Sequence, residues 1–178
     1  MEDVKVYDKI FRLSIHEKEI LDAVDRIADG LNRDYHGKDP VFLAVLNGAF
    51  VFASDLLKKI NFPCSVSFVK LASYRGTSTS GNVKNLIGLN EDLKGREIVI
   101  IEDIIDSGTS MKYLLAELRE LGALNIRIAS LLLKPEAFKE NYHIDYVGLR
   151  IPNDFIVGYG LDYNGYGRNL NQIYTLVE

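Results

Sequence analysis

The chain has 178 residues, 47% of them hydrophobic and 26% charged, which is the composition of one ordinary globular domain. Its net charge of -4 argues against general electrostatic attraction to nucleic acid or to anionic membranes. No apolar run approaches the roughly 18 residues that a membrane-spanning helix needs. The N-terminal residues do not have the basic and apolar regions of a signal peptide, and the single cysteine, Cys64, cannot form an internal disulfide. We therefore expect a cytoplasmic protein.

The N-terminal part of the chain predicts an extended segment followed by a helix. Residues 4–13 are expected to form a short strand or an extended stretch. Ser14 and Glu17 have the spacing of a capping box, which predicts that a helix begins there. Apolar residues then recur at helical spacing as far as Leu31, so we expect an amphipathic helix that ends near residues 35–37.

Two core strands with a helix between them are predicted next. Residues 41–46 form an apolar run, and residues 49–60 are apolar over a broad helical face. Residues 64–71 have the pattern of a second core strand. Asn47 and Gly48 thus occupy a strand-to-helix turn, where ordinary turn chemistry is by itself a sufficient explanation.

Residues 72–90 are nearly free of large apolar side chains until Leu86. A segment of this length without clear structure inside a compact domain is either functional or disordered. Because it follows a core strand, we expect an active-site lid in the form of a mobile hairpin, in which Arg75 and several hydroxyl groups donate to an anion. A flexible surface loop is the alternative.

The central stretch, residues 98–110, carries the strongest chemical signal. It begins as an apolar run of the kind that is buried on both faces of a parallel sheet, and the run ends in two carboxylates, Glu102 and Asp103. A small polar loop, residues 106–110, then leads into a helical pattern that Gly122 stops. Backbone N–H groups at a helix start suit a phosphate, and adjacent carboxylates suit a Mg²⁺ ion that bridges to the ligand. The alternative is a helix cap beside two solvated acids.

The C-terminal half predicts further strands. Residues 126–133 have the pattern of a strand with Lys134 at its carboxyl end, where an ordinary solvated lysine is the alternative to a ligand-binding one. Strands that alternate with helices over residues 41–133 predict an α/β fold with a parallel or mostly parallel sheet. Three short extended segments follow: residues 146–151, 155–157 and 172–177.

Several segments resemble one enzyme family. Residues 99–110, with Glu-Asp followed by Asp-Ser-Gly-Thr-Ser, resemble the phosphoribosyl pyrophosphate signature of type I phosphoribosyltransferases. Residues 154–164, followed by Tyr166 and Arg168, closely resemble the corresponding segment of hypoxanthine-guanine phosphoribosyltransferases. The resemblance covers roughly residues 5–178. Three shorter matches occur in the same order along the chain: Leu46-Asn47-Gly48, Ser73-Tyr74 and Leu133-Lys134.

The resemblance implies a fold, an assembly and a metal. We expect a single domain over residues 1–178, built as a mostly parallel twisted sheet flanked by helices. Its core would span about residues 38–150. A small hood would be built from about residues 1–15 and 151–178. The family also implies a homodimer or homotetramer and a requirement for Mg²⁺.

The resemblance further implies a role for each part of the sugar and phosphate site. The 5′-phosphate would be wrapped by Asp106, Ser107, Gly108, Thr109 and Ser110. The ribose hydroxyls would be held, directly or through Mg²⁺, by Glu102 and Asp103. Pyrophosphate would be bound by a loop that often has a cis peptide, by the lid and by one arginine: Leu46, Asn47, Gly48, Ser73, Tyr74 and Arg168.

The purine would be recognised by the C-terminal half. By resemblance, Lys134 would donate to O6 of the base, Phe155 would stack on the ring, and the Ile156 backbone would read the edge of the base beside Asp154. Asp162 would also lie against the purine, near position 2 with Ile156, and would help to bind a second Mg²⁺ ion.

The implied function is purine salvage by transfer of ribose 5-phosphate from 5-phosphoribosyl 1-pyrophosphate to hypoxanthine and guanine. Asp106 is the candidate general base near N7 of the purine. A lysine facing position 6 favours a 6-oxo purine over adenine, because an unpaired buried polar group costs about 1–3 kcal/mol. Asn47 stands where many relatives have lysine, so Mg²⁺ and Arg168 would neutralise more of the pyrophosphate charge.

Two alternatives share this fold. One is a phosphoribosyltransferase that prefers xanthine, which also has a 6-oxo group. The other is a non-catalytic regulator that senses nucleotides and binds RNA, for which a basic surface would be needed. A receiver-like signalling domain also has acidic residues at strand ends, but it has no need of the phosphate loop at residues 106–110.

Overall fold

A computed structural model describes residues 3–71, 85–87 and 92–177 of the chain. None of the helices in these ranges is long and apolar enough to cross a membrane. The strands are β1 Asp3–Val6, β2 Lys9–Ile15, β3 Val41–Leu46, β4 Ser65–Leu71, β5 Asn85–Ile87, β6 Glu97–Ile105, β7 Asn125–Leu133, β8 Tyr146–Arg150, β9 Ile156–Val157 and β10 Ile173–Val177. The helices are α1 Glu17–Asp34, α2 Phe50–Leu57 and α3 Thr109–Glu120.

Within the described residues, the main sheet has six strands in the order β5-β4-β3-β6-β7-β8. Strands β4 to β8 in this order pair in parallel, and β5 pairs antiparallel to β4 at one edge. The central strand β6 is buried on both faces: Val99 and Ile101 pack with α1 and α2, whereas Ile98 and Ile100 pack with α3. The predicted α/β fold, with a mostly parallel sheet flanked by helices, is confirmed.

A second, antiparallel sheet has the order β1-β2-β10-β9, so both ends of the chain contribute to it. This sheet is the hood of the expected fold class. The N-terminal stretch is a hairpin of two strands and not a single extended segment, because the chain reverses at Tyr7, which has a φ of 55°. The boundaries proposed for core and hood stay a prediction.

The helix start predicted at Ser14 is wrong. Ser14 lies in β2, and its hydroxyl donates to the Ile173 carbonyl oxygen at 3.1 Å, so pairing with β10 extends the strand to Ile15. The helix begins after His16, whose backbone N–H donates to Glu19 Oε1 at 3.2 Å.

Strand β6 extends beyond the apolar run that predicts it. Strand β6 continues to Ile105, because Glu102, Ile104 and Ile105 remain paired with β7. Glu102 and Asp103 therefore lie within the carboxyl-terminal part of the strand and do not follow it. This pairing restricts the backbone on which both carboxylates are mounted.

The lid prediction lies mostly outside the described residues. Of residues 72–90, the structure describes β5 alone, whose Ile87 is the register partner of Lys70 in β4. Ser73, Tyr74 and Arg75 fall in the range that is not described.

Asp34, at the end of α1, ties this helix to two strands of the main sheet. Its Oδ2 accepts hydrogen bonds from Tyr146 Oη at 2.8 Å and from Arg127 Nη1 at 2.9 Å. The hydrogen bond from Tyr146 is the largest cause of a pKa of Asp34 below its ordinary value, burial opposes this shift, and Arg33 and Arg127 add to it. The ionised carboxylate therefore stabilises the fold.

We predict that Asp34→Asn lowers the free energy of unfolding by about 1 kcal/mol at neutral pH, a value reduced for the partial exposure of the pair. Because the folded-state pKa of Asp34 lies below that of the unfolded chain, its contribution is present above about pH 4 and is lost as the pH falls through the folded-state pKa. Urea unfolding across this pH range should show the two proteins converging in stability at low pH.

Asp29→Asn is the matched control, because it removes an exposed carboxylate from the same helix. It should leave the unfolding free energy nearly unchanged at each pH. A deficit of Asp34→Asn that persists undiminished in acid would contradict the assignment.

Candidate active site

Turns that follow β3, β6 and β7 meet at one edge of the main sheet, because these strands are parallel and their carboxyl ends lie together. A cleft of about 340 Å³ opens there against the hood. Eight of the predicted site residues line it, together with Ile104 and Leu161: Gly48, Asp103, Asp106, Lys134, Phe155, Ile156, Asp162 and Arg168.

The predicted phosphate loop forms a separate pocket of about 120 Å³ beside this cleft. Helix α3 begins at Thr109, so the loop presents backbone N–H groups at a helix N-terminus, which is suited to a phosphate. The Ser107 hydroxyl donates to Thr109 Oγ1 at 3.2 Å. The pocket is lined by Glu102, Ile104, Ile105, Asp106, Ser107, Gly108, Thr109, Ser110 and Met111.

Two aromatic residues that lie outside the sequence motifs support the phosphate loop. Gly108 has a φ of 87°, and a Cβ at this position would lie 2.7 Å from Phe138 and from the Tyr142 hydroxyl. Tyr142 Oη donates to the Gly108 carbonyl oxygen at 2.9 Å. The conformation of the loop thus depends on side chains about thirty residues further along the chain.

Lys134 and Asp106 form an ion pair inside the cleft. The Lys134 ammonium lies 3.1 Å from Asp106 Oδ2. Lys134 is 7% exposed, which rules out the alternative of a solvated surface lysine, whereas about half of the Asp106 side chain is exposed. The residue predicted to read the purine and the residue predicted to act as base are therefore in direct contact.

The carboxyl groups of Glu102 and Asp103 lie close together. Burial raises the pKa of Glu102 well above its ordinary value, and the charge of Asp103 raises it further. Burial also raises the pKa of Asp103, although hydrogen bonds from Glu102 and from the Ile104 N–H, the latter at 2.9 Å, oppose this. A cation or hydroxyl donors bound here would relieve the repulsion.

These two carboxylates fit a Mg²⁺ ion that binds together with its substrate. Within the described ranges, three or more side chains of histidine, cysteine, aspartate or glutamate do not cluster as a preformed metal site. Mg²⁺ commonly keeps several waters and uses one or two carboxylates together with substrate oxygens. Glu102 and Asp103 offer this kind of partial ligand set.

The predicted pyrophosphate loop is packed tightly between the acidic pair and the hood. The peptide bond between Leu46 and Asn47 is cis, as the resemblance implied. A Cβ at Gly48 would overlap the Asp103 carboxylate, and a Cβ at Gly160 would overlap the Gly48 carbonyl oxygen. Neither position leaves room for a side chain, so both glycines are required by close approach.

Asp162 and Arg168 are paired with each other on the hood side of the cleft. Arg168 Nη2 lies 2.6 Å from Asp162 Oδ1, and Arg168 Nη1 donates to the Gly160 carbonyl oxygen at 2.6 Å. Asp162 Oδ2 accepts from the Gly165 N–H at 2.6 Å. A metal ion at Asp162 would therefore have to use a lone pair of an oxygen that already accepts a hydrogen bond.

The hood presents one aromatic ring at the cleft. Phe155 is 48% exposed, and its ring meets Tyr163 edge-on at a centroid distance of 5.9 Å. Ile156 follows in β9 and lines the same cleft. Asp154 lines a separate groove of about 210 Å³ beyond Ile156, so the structure does not bring it into the cleft.

Comparison with known proteins agrees with this arrangement. The model of the phosphoribosyl transferase domain matches residues 13–164, and the chain is thus a member of the phosphoribosyltransferase family, an enzyme class. A hypoxanthine-guanine phosphoribosyltransferase of Lactococcus lactis is 39% identical over 168 residues, which are 94% of this chain and 91% of the relative. One from Streptococcus pyogenes is 39% identical over 170 residues, covering 95% and 94%. Within the class, the chain belongs to the hypoxanthine-guanine phosphoribosyltransferase family.

Solved structures give the same result. A hypoxanthine-guanine phosphoribosyltransferase from Bacillus anthracis superimposes with a TM-score of 0.86 at 34% identity, covering 98% of this chain and 99% of that one. A hypoxanthine phosphoribosyltransferase from Staphylococcus aureus has a TM-score of 0.88 at 35% identity, covering 93% and 91%. The predicted family is confirmed, and these similarities do not favour an RNA-binding regulator or a xanthine-preferring enzyme.

We predict that Gly108→Ala lowers the specificity constant for phosphoribosyl transfer by about a hundredfold, because the added methyl group would displace Phe138 or the loop itself. Gly95→Ala is the matched control. Gly95 also has a positive φ, 72°, but a Cβ there would meet no atom within 4 Å. Both variants bear the backbone strain, and only Gly108→Ala disturbs the loop. Steady-state kinetics should separate them, and equal losses in both would contradict the proposed packing.

Proposed function

We propose that this enzyme transfers ribose 5-phosphate from 5-phosphoribosyl 1-pyrophosphate to hypoxanthine and guanine, which gives IMP, GMP and pyrophosphate. The contact between Lys134 and Asp106 is the observation that carries this proposal, because it joins a donor for a 6-oxo group to a candidate base in one cleft. The adjoining phosphate pocket at residues 106–110 gives the sugar phosphate its place.

The purine would lie in the cleft against the exposed face of Phe155, with its position 6 toward Lys134. A 6-oxo group accepts a hydrogen bond from the ammonium, and this interaction competes with Asp106 for Lys134. Asp106 is then free to accept the N7 proton as N9 forms a bond to C1 of ribose and the bond from C1 to pyrophosphate breaks. The 6-amino group of adenine offers Lys134 no comparable acceptor.

The sugar would bridge the two pockets. Ser107, Thr109 and the N–H groups at the start of α3 are suited to hold the 5′-phosphate. Glu102 and Asp103 would hold the ribose hydroxyls, directly or through Mg²⁺, and their negative charge would stabilise positive charge that develops on the sugar. When bound, Mg²⁺ would neutralise charge on the departing pyrophosphate.

Four further parts of the proposal concern the surroundings of the site. Arg168, with Asp162, and the loop of Leu46, Asn47 and Gly48 would face pyrophosphate, and Asp154 would support the purine from behind Ile156. Ser73 and Tyr74 lie outside the described residues, and their place on a lid stays a prediction. A second Mg²⁺ ion at Asp162 rests on the resemblance alone.

We also propose that the protein is a cytoplasmic homodimer or homotetramer that takes small-molecule substrates. A free thiol at Cys64 suits a reducing compartment. Large apolar side chains on α2 and β4 are exposed in the single chain, with Phe50 at 44% and Phe68 at 43%, and an assembly would bury such surface.

A panel of bases tests the function directly. With 5-phosphoribosyl 1-pyrophosphate and Mg²⁺, hypoxanthine and guanine should each be used with a specificity constant about ten- to a hundredfold above that of adenine. Xanthine belongs in the same panel. Chelation of the metal should abolish turnover with every base. Equal use of adenine and hypoxanthine would contradict the role of Lys134, and no turnover with any base would refute the proposed function.

Asp106→Asn tests the general base. We expect the turnover number to fall by a factor of about 10²–10⁴, because the asparagine amide accepts a proton poorly. Binding of 5-phosphoribosyl 1-pyrophosphate should change far less, because asparagine preserves the conformation of the loop. Glu136→Gln, which removes an exposed carboxylate just beyond Lys134, is the control and should keep parental turnover. Turnover of Asp106→Asn within about threefold of the parent would remove Asp106 from this role.

A further inference from the structure

A tight turn in the hood has an unusual backbone. Gly158 and Leu161 exchange hydrogen bonds between their backbones, at 3.1 Å and 3.0 Å, so Tyr159 and Gly160 are the two central residues of a hairpin turn. Both have positive φ, 49° for Tyr159 and 99° for Gly160. Such a turn favours glycine, asparagine or aspartate at both places, and a bulky residue at the first is an outlier.

Tyr159 is held in this conformation by its side chain. It is 3% exposed, and its hydroxyl donates to Asp55 Oδ2 at 2.6 Å. Asp55 lies in α2, the helix that follows the turn at Gly48, and its Oδ1 lies 2.7 Å from Lys58 Nζ. Backbone strain of this kind persists where the surrounding structure over-determines it, and it occurs often at functional sites.

The tip of the turn touches both halves of the candidate pyrophosphate site. Gly160 lies directly against the Gly48 carbonyl oxygen, and its own carbonyl accepts from Arg168 Nη1 at 2.6 Å. Asp162, two residues further, is paired with the same arginine. A shift of the turn would therefore move Gly48, Arg168 and Asp162 relative to one another.

The hydrogen bond joins a charged acceptor to a neutral donor. Burial alone would raise the pKa of Asp55, but hydrogen bonds from Lys58 and Tyr159 lower it below its ordinary value. Burial, and then the contact with Asp55, raise the pKa of the Tyr159 hydroxyl, which stays protonated. Charge-assisted hydrogen bonds of this kind are shorter and stronger than neutral ones.

We propose that Tyr159 and Asp55 are positioning residues that fix the pyrophosphate loop relative to the Arg168–Asp162 pair and thereby set the affinity for pyrophosphate. The inference rests on the proposed function, which places pyrophosphate between these groups. Neither residue lines the cleft, so both act through the turn.

Tyr159→Phe is the main test, because it keeps the ring and removes the hydroxyl. Calorimetric titration with inorganic pyrophosphate in excess Mg²⁺ should show a dissociation constant raised about tenfold. This change is near the lower end of the effect expected from the loss of a hydrogen bond to a charged group. The KM of hypoxanthine at saturating 5-phosphoribosyl 1-pyrophosphate should stay within about twofold of the parental value. A general loss of structure would affect both constants.

Two variants of Asp55 give an independent test. Asp55→Ala should reproduce the loss of pyrophosphate affinity, whereas Asp55→Asn should retain most of it, because the amide oxygen still accepts from Tyr159. Lys58→Gln is the matched control. It removes the other partner of the Asp55 carboxylate, the Lys58 side chain, which is 69% exposed. This change should leave the dissociation constant of pyrophosphate and the KM of hypoxanthine unchanged.

The outcomes separate the inference from the function on which it rests. A parent enzyme that neither binds pyrophosphate nor forms nucleotide would overturn both. Two results with an active parent enzyme would overturn the positioning role alone. In the first, Tyr159→Phe binds pyrophosphate with a dissociation constant within twofold of the parental value. In the second, its KM for hypoxanthine rises as much as its dissociation constant for pyrophosphate. If Tyr159→Phe does not fold, equal losses in Asp55→Ala and Asp55→Asn would likewise overturn it, whereas rescue by the amide would support it.

Discussion

The fold depends on the burial of β6 between two helical layers. Ile98, Val99, Ile100 and Ile101 are 0% exposed, and each such side chain contributes about 1.5–3 kcal/mol when it leaves water. This burial, with pairing to β3 on one side and β7 on the other, fixes the carboxyl end of the strand. Residues 102–110 are consequently presented from a rigid base, although they include buried charge that would be unfavourable by itself.

Charge is balanced only in part across the site. Lys134 with Asp106 and Arg168 with Asp162 are ion pairs, whereas the acidic pair of β6, Glu102 and Asp103, has like charges. Ionisation of all four carboxylates, against two cations, would leave a formal charge of -2 on these six residues, and the raised pKa of Glu102 shows that burial and the charge of Asp103 oppose it. An anionic sugar phosphate would meet an anionic site, and a divalent cation resolves this conflict for both. The charge of these residues therefore suits a divalent cation that binds together with the substrate.

The parts of the fold that could be predicted are those with a local cause. Residues 41–46 were predicted as a strand with the bounds that the structure shows, because the run is apolar on both faces and ends at turn residues. The start of α1 and the end of β6 could not be placed, because pairing with distant strands decides both. The capping spacing at Ser14 is a local signal that this pairing overrides.

The candidate site likewise has features that a local sequence pattern can predict and features that it cannot. The groups proposed to touch ligand stand in short segments at strand ends, so a motif can identify them. The contacts that hold these segments in place join distant parts of the chain: the hydrogen bonds of Tyr142 to Gly108 and of Tyr159 to Asp55 span 34 and 104 residues. No local pattern marks either pair, since each depends on how layers of the fold meet. Sequence motifs therefore report the chemistry of this cleft, and its geometry depends on contacts between segments that are far apart along the chain.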